Sequence, residues 1–146
     1  MMNTWPLVLL ALFASATFAD AAERHIAFER SDSIYIANLD GTNEKKIAEG
    51  ILPAISPDGT NVAFTTVEKS GSTYIRHIAV TETASGNMTA FQDVPSKNSY
   101  YPSWSPDGKR ILFMLRRDDV CDIATIAPNG REFRVLKKGA SKEATF

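Results

Sequence analysis

The stretch that decides the fold is Pro102-Ser103-Trp104-Ser105-Pro106-Asp107-Gly108-Lys109-Arg110-Ile111-Leu112-Phe113. Its central tetrapeptide also occurs as Ser56-Pro57-Asp58-Gly59, about 50 residues earlier, a spacing that indicates an internal repeat. In such a tetrapeptide the proline presets the backbone for a turn, the aspartate can bond the chain two residues on, and the glycine takes the left-handed conformation. The tetrapeptide therefore predicts a tight turn with a strand on either side.

A second repeat lies outside this motif. The segment Ser33–Gly41 aligns without gaps on Asp122–Gly130, and His77–Gly86 lies between them in the chain. Each of the three segments ends in a turn glycine. The chain therefore contains three units of about 40 to 50 residues, the period at which propeller blades repeat.

Each unit predicts four short strands. A first strand leads into the Ser-Pro-Asp-Gly turn, an apolar run follows, an alternating strand comes next, and a hairpin turn of the Asp-Gly type leads to a short outer strand. The first unit starts at its second strand, His25–Phe28, and no segment after residue 21 shows sustained helical periodicity. We therefore predict an all-β chain whose blades cover about residues 25–50, 51–98 and 99–146.

At Pro102–Phe113 the sequence resembles the repeat of TolB-type β-propellers, which also occurs in the propellers of dipeptidyl-peptidase-like and tricorn-like proteases and of some sugar-acid lyases. The resemblance covers residues 25–146, although the second unit has Ile55 where the tryptophan belongs. It implies four-stranded antiparallel blades around a channel, in rings of six or more, and it implies no reaction because the motif is a turn. The expected architecture is a partial β-propeller of about three four-stranded antiparallel blades, either an incomplete ring or half of a six-bladed ring.

Three blades are too few for a ring, and an open array leaves unpaired strand edges. The residues Ala144-Thr145-Phe146 share a small-small-aromatic pattern with Pro102-Ser103-Trp104, where an inner strand ends. We therefore hypothesise a homodimer in which the terminal strand of one copy completes the first blade of the other and closes a six-bladed ring. The alternative is that the chain is a truncated fragment of a larger propeller protein.

The N-terminal residues predict a secretory signal peptide. Leu7–Phe13 is an apolar run too short to span a bilayer, and Ala19-Asp20-Ala21 supplies an A-x-A cleavage pattern. We therefore assign residues 1–21 to the signal peptide and residues 22–146 to the propeller repeats. The expected location is periplasmic or secreted, with no stable membrane span after cleavage.

Composition excludes several classes of protein. Lys plus Arg number 16 against 17 acidic residues, so the basic excess that nucleic-acid binding requires is missing. Cys121 is the single cysteine, which excludes an internal disulfide and a multi-thiolate zinc site, and we expect it to be a packed thiol.

Candidate catalytic side chains are few and far apart. His25 and His77 lie in separate units at strand positions, where a half-exposed sheet histidine is favoured over a base or a metal ligand. The sequence has no Gly-x-Ser-x-Gly elbow, phosphate-binding glycine loop or His-Glu-x-x-His pair. We predict no catalytic, cofactor-binding or metal-binding residue, and hence neither enzyme activity nor a cofactor. Asp58 and Asp107 are assigned to the structural repeat turns together with Ser56, Pro57, Gly59, Trp104, Ser105, Pro106 and Gly108.

Candidate partner-binding residues lie on the face that carries the blade entrances and the loops between second and third strands. These loops are predicted at residues 68–73 and 116–120, and they vary between units as binding loops do. Tyrosine and arginine are enriched in interface hot spots. The candidates are Tyr100, Tyr101, Arg116 and Arg117. The alternatives are that one tyrosine packs between blades and that residues 116–119 form a solvated loop.

The predicted function is that of a non-catalytic periplasmic protein-binding module, which the resemblance implies would engage an envelope protein. TolB-type proteins carry an α/β domain before the propeller, whereas only a signal peptide is predicted here, so membership of a Tol-Pal type system stays open. The alternative is a carbohydrate-active propeller related to the sugar-acid lyases, whose chemistry requires several metal-binding histidines or a positioned base.

Overall fold

A computed structural model describes residues 25–140. Its strands are β1 (His25–Arg30), β2 (Ser33–Asn38), β3 (Lys45–Glu49), β4 (Ile51–Ile55), β5 (Asn61–Ser70), β6 (Thr73–Glu82), β7 (Met88–Ala90), β8 (Ser99–Trp104), β9 (Ile111–Arg117), β10 (Val120–Ile126) and β11 (Arg134–Ala140). The predicted signal peptide and Ala144–Phe146 lie outside the described residues.

The strands form three separate antiparallel sheets. Sheet 1 has the order β1-β2-β3, sheet 2 the order β4-β5-β6-β7, and sheet 3 the order β8-β9-β10-β11. Residues 25–140 contain no helix, and hence none long and apolar enough to cross a membrane. The prediction of an all-β array of antiparallel blades is confirmed. Sheet 1 has three strands because the described part of the first unit starts at the strand equivalent to β5 and β9.

The sheets pack face to face because side chains alternate along each strand. On β5, Val62 and Phe64 belong to the cluster shared with sheet 1, whereas Ala63 belongs to the cluster shared with sheet 3. Phe64 and Phe113 are fully buried, and burial of each contributes about 1.5 to 3 kcal/mol. These two apolar layers fix the order of the sheets, with sheet 2 in the middle.

Gly50 allows the chain to pass from sheet 1 to sheet 2. Its N–H donates to the carbonyl oxygen of Asp32 at 2.8 Å. A Cβ atom at this position would lie 2.5 Å from Phe64 Cδ2 and 2.6 Å from the backbone oxygen of Thr65. Only glycine fits this close approach of the linking segment to β5.

The two Ser-Pro-Asp-Gly turns have matching hydrogen bonds. Asp58 Oδ1 accepts from the Ser56 hydroxyl (2.5 Å) and from the backbone N–H of Thr60 (3.1 Å). Asp107 Oδ1 accepts from the Ser105 hydroxyl (2.6 Å) and from the backbone N–H of Lys109 (3.0 Å). In both turns the serine hydroxyl, followed by that backbone N–H, lowers the pKa of the aspartate.

Two predicted loops are shorter than the sequence indicated. β5 continues to Ser70 and β6 begins at Thr73, so only a tight turn at Gly71 replaces the loop predicted at residues 68–73. β9 continues to Arg117, and β10 begins at Val120. The reason is that backbone pairing extends through polar residues, which the apolar pattern of the sequence does not mark.

Candidate functional site

A groove opens between sheets 2 and 3 where their inner strands, β4 and β8, begin. Its cavity volume is about 270 Å³. We call it the tyrosine groove, and the residues that line it are Ile51, Leu52, Arg76, Asn98, Tyr100, Tyr101 and Arg116. Three of the four candidate partner-binding residues, Tyr100, Tyr101 and Arg116, therefore lie together.

The lining of the tyrosine groove contains two residues with the same unusual backbone conformation. Leu52 and Tyr101 both have φ of 58°, in the left-handed region that is uncommon for residues with a side chain. Each lies where the pairing of its inner strand is interrupted, between Ile51 and Ala54 in β4 and between Tyr100 and Ser103 in β8. Such bulges re-aim side chains and are common beside functional sites.

The two tyrosine rings occupy different environments. Tyr101 is 52% exposed, and its ring lies edge to face with that of Tyr100 at a centroid distance of 5.2 Å. The hydroxyl of Tyr100 lies 3.3 Å from Sγ of the buried Cys121. Burial, followed by this hydrogen bond, raises the pKa of Tyr100 to about 12. Tyr100 is therefore a neutral phenol at physiological pH, and Tyr101 presents its ring to solvent.

The backbone beside Asn98 holds both arginines of the tyrosine groove. The backbone N–H of Arg76 donates to the carbonyl of Lys97, and the backbone N–H of Arg116 donates to the carbonyl of Asn98, both at 2.9 Å. Nη1 of Arg76 also donates to Oδ1 of Asn98 at 3.4 Å. The segment that contains Lys97 and Asn98 therefore holds Arg76 of sheet 2 and Arg116 of sheet 3 at the opening of the groove.

Arg117 lies outside the tyrosine groove. Successive residues of a strand point to opposite faces, so Arg117 faces away from Arg116 and forms an ion pair with the buried Asp122. The backbone N–H of Gly139 also donates to Asp122, at 2.9 Å, and this bond, with Arg117 adding to it, lowers the pKa of Asp122. The structure therefore separates the two arginines that the sequence placed side by side.

The two histidines lie in different sheets. His25 begins β1, whereas His77 lies in β6 and lines a separate cavity of about 580 Å³ with Glu68, Gln92 and Lys97. Nδ1 of His77 is buried and has no hydrogen-bond partner among the residues that the structure describes. Within residues 25–140, no group of three or more His, Cys, Asp or Glu side chains could hold a metal ion.

Sequence reasoning missed Arg76 and Asn98. Arg76 is a polar residue in an alternating strand, and Asn98 lies in the segment that leads into β8. Asn98 bonds to both Arg76 and Arg116, so these contacts join residues from three places in the chain. No local pattern of the sequence marks such a contact.

Comparison with known proteins found similar chains in two functional settings. No family model matches this chain. It is 31% identical over 87 residues to the Bacillus subtilis protein named uncharacterized peptidase YuxL, a match that covers 58% of this chain and 13% of that protein. It is 27% identical over 109 residues to the Tol-Pal system protein TolB of Alcanivorax borkumensis, covering 73% of this chain and 23% of that one. The chain therefore spans less than a quarter of the length of these curated relatives.

A solved structure gives the same fold. The crystal structure of TolB from Acinetobacter baumannii superposes with a TM-score of 0.59 at 21% identity, covering 77% of this chain and 30% of that one. This likeness agrees with the three packed antiparallel sheets described above. The chain therefore has a TolB-like β-propeller fold.

Proposed function

We propose that this chain is a non-catalytic periplasmic protein-binding module that acts as an interaction scaffold in the cell envelope. The observation that carries the proposal is the tyrosine groove, in which Tyr101 is exposed beside two arginines held by one backbone segment. A few hot-spot residues dominate the binding energy at protein interfaces, and tyrosine and arginine are enriched among them. A groove that is preformed on packed sheets loses little entropy when it binds.

Two further observations support this proposal. The likeness to TolB connects the chain with a protein named for the Tol-Pal system. The apolar run and A-x-A pattern in residues 1–21 predict export to the periplasm, where an envelope protein would be the partner.

A pull-down from envelope extract tests the proposal. The bait is the purified protein, and the groove variant combines Tyr101→Ala with Arg116→Ala. The matched control combines Arg134→Ala with Leu136→Ala, which removes an exposed arginine and a 60% exposed apolar side chain from the outer strand β11. We expect the wild type and the control to recover the same envelope protein and the groove variant to recover about tenfold less. Recovery of no protein above background, or equal recovery by the groove variant, would contradict the proposal.

A second candidate is that the chain corresponds to part of a peptidase-type propeller protein. The match to the peptidase YuxL favours it. Assays with aminoacyl and peptidyl p-nitroanilides distinguish the two candidates, since a binding module gives no turnover.

The carbohydrate-active alternative is tested by metal analysis, where stoichiometric manganese or zinc in the purified protein would favour it.

A further inference from the structure

A carboxylate already occupies the place where sheet 1 faces the start of β4, the inner strand of sheet 2. We call this place the first step, and we call the equivalent place between sheet 2 and the start of β8 the second step. Ala27 packs in the layer between these sheets, so Glu29, two residues further along β1, faces sheet 2 as well. The carboxylate of Glu29 accepts a hydrogen bond from the backbone N–H of the left-handed Leu52, with 2.9 Å between Oε2 and N. The irregular start of β4 is therefore bound by an acidic side chain of the preceding sheet.

Among residues 25–140, the second step, between sheets 2 and 3, has no such acid. His25 in β1 and Asn61 in β5 are equivalent, because each pairs with the last residue of the strand that follows it. Glu29 and Thr65 each lie four residues further along, so they are equivalent as well. Leu52 is equivalent to Tyr101, because both have φ of 58° and both precede the proline that leads to Ser-Pro-Asp-Gly. Thr65 is fully buried, and its hydroxyl has no hydrogen-bond partner among residues 25–140. Its short side chain does not replace the carboxylate.

Two arginines, Arg76 and Arg116, lie at the second step. Arg76 contacts the amide of Asn98 and the ring of Tyr74, and no ion pair within the described range involves it. Arg116 approaches Asp119 only at 3.9 Å, and Asp119 is fully exposed, so solvent screens this pair. Nε of Arg116 donates to the backbone carbonyl of Asp118.

Three other arginines within residues 25–140 have close acidic partners, and one of them is Arg117, described above. Arg30 pairs with Glu44 through two hydrogen bonds, and Arg110 pairs with Glu132 at 2.9 Å. The two arginines of the tyrosine groove therefore differ from these in having guanidinium groups that can bind an added anion, and both line one cavity.

We propose that the tyrosine groove binds an acidic side chain from an extended segment of a partner protein, with its carboxylate between Arg76 and Arg116 beside Tyr101. The carboxylate takes the place at the second step that Glu29 takes at the first. This inference rests on the proposed function, because it names the chemistry of the partner at the same groove. The cavity of about 270 Å³ is smaller than most small-molecule sites, which run from about 300 Å³ upward, and suits one side chain of a peptide.

Titration with peptides tests this inference. The probes are a pentapeptide with two central glutamates and its glutamine counterpart, both acetylated and amidated so that no terminal carboxylate is present. Binding is followed by the NMR signals of the arginine Nε–H groups and of the Tyr101 backbone amide. Charge-assisted hydrogen bonds predict that the glutamate peptide binds about tenfold more tightly than the glutamine peptide.

Substitutions show which residues are responsible for the preference for the glutamate peptide. Arg76→Gln and Arg116→Gln are each expected to abolish the preference for glutamate, whereas Arg134→Gln, on the outer strand β11, retains it. Equal affinity for the two peptides, a preference that survives both groove substitutions, or no saturable binding by either peptide would overturn the inference.

The outcomes separate this inference from the function on which it rests. An envelope protein recovered equally by wild type and by Arg76→Gln and Arg116→Gln would remove the carboxylate site and leave the binding module. A pull-down that recovers no envelope protein, together with an intact preference for the glutamate peptide, would remove the binding module and leave the carboxylate site.

Discussion

The indole Nε1–H of Trp104 donates a hydrogen bond to the carbonyl oxygen of Ala54, with 2.8 Å between the two atoms. This bond joins the inner strands β8 and β4 of neighbouring sheets. The body of the indole also packs against the apolar cluster between sheets 2 and 3. The tryptophan of the repeat motif therefore connects one blade to the preceding one, in addition to its place before the turn.

Substitution of Trp104 by phenylalanine separates these two contributions. Phenylalanine retains much of the apolar contact but removes the donor to Ala54, so we expect the free energy of unfolding to fall by about 1 kcal/mol. Trp104→Ala also loses the packing and is expected to cost more. Urea unfolding followed by circular dichroism measures both. Equal stability of the wild type and Trp104→Phe would show that the hydrogen bond contributes nothing.

The close approach at Gly50 predicts a strong effect of a single methyl group. In Gly50→Ala the new Cβ meets the ring of Phe64 and the backbone oxygen of Thr65, and the backbone cannot move aside without disturbing β5. We expect a loss of about 3 kcal/mol, the upper range of overpacking.

Gly41→Ala is the matched control for this prediction. Gly50 has φ of 154° and Gly41 has φ of 80°, but a Cβ added at Gly41 meets nothing within 4 Å. Its cost is expected to be the conformational strain alone, about 1 kcal/mol. Thermal unfolding of both variants gives the comparison, and similar losses for the two would refute the clash at Gly50.

Much of this fold could be predicted from the sequence, because its turns carry local chemical signals. Ser-Pro-Asp-Gly and the glycine hairpins mark strand ends through backbone preferences that operate within a few residues. The tyrosine groove was predicted only in part. Tyr100, Tyr101 and Arg116 were proposed from their expected face, but the contribution of Arg76 depends on contact between sheets. The opposite orientations of Arg116 and Arg117 follow from strand alternation, which the polar residues 116–119 do not indicate because their composition is typical of a loop.

The buried Asp122 predicts a loss of stability in acid. Its pKa is lowered in the folded state, so its contribution to stability is present above the ordinary carboxyl pKa of about 4 and is lost as the pH falls through the lower, folded value. Asp122→Asn removes the negative partner of Arg117, and we expect a lower melting temperature at neutral pH and a weaker dependence of stability on pH below about 4.

Asp119→Asn is the control for this substitution, since Asp119 lies fully exposed in the same hairpin. Its melting curve is expected to follow the wild type at every pH. Equal behaviour of the two variants between neutral pH and acid would contradict a stabilising role of the buried carboxylate.

The open edge of sheet 1 predicts self-association. In the described range β1 is an edge strand, whereas its equivalents β5 and β9 each pair with an inner strand on that side. Unpaired edges favour pairing with another strand, and Ala144–Phe146 has the sequence pattern of an inner strand. We therefore expect residues 22–146 to form a dimer in size-exclusion chromatography with light scattering, and a chain that ends at residue 140 to be a monomer. A folded monomer over a wide range of protein concentration, or a dimer that survives the truncation, would refute ring closure by this strand.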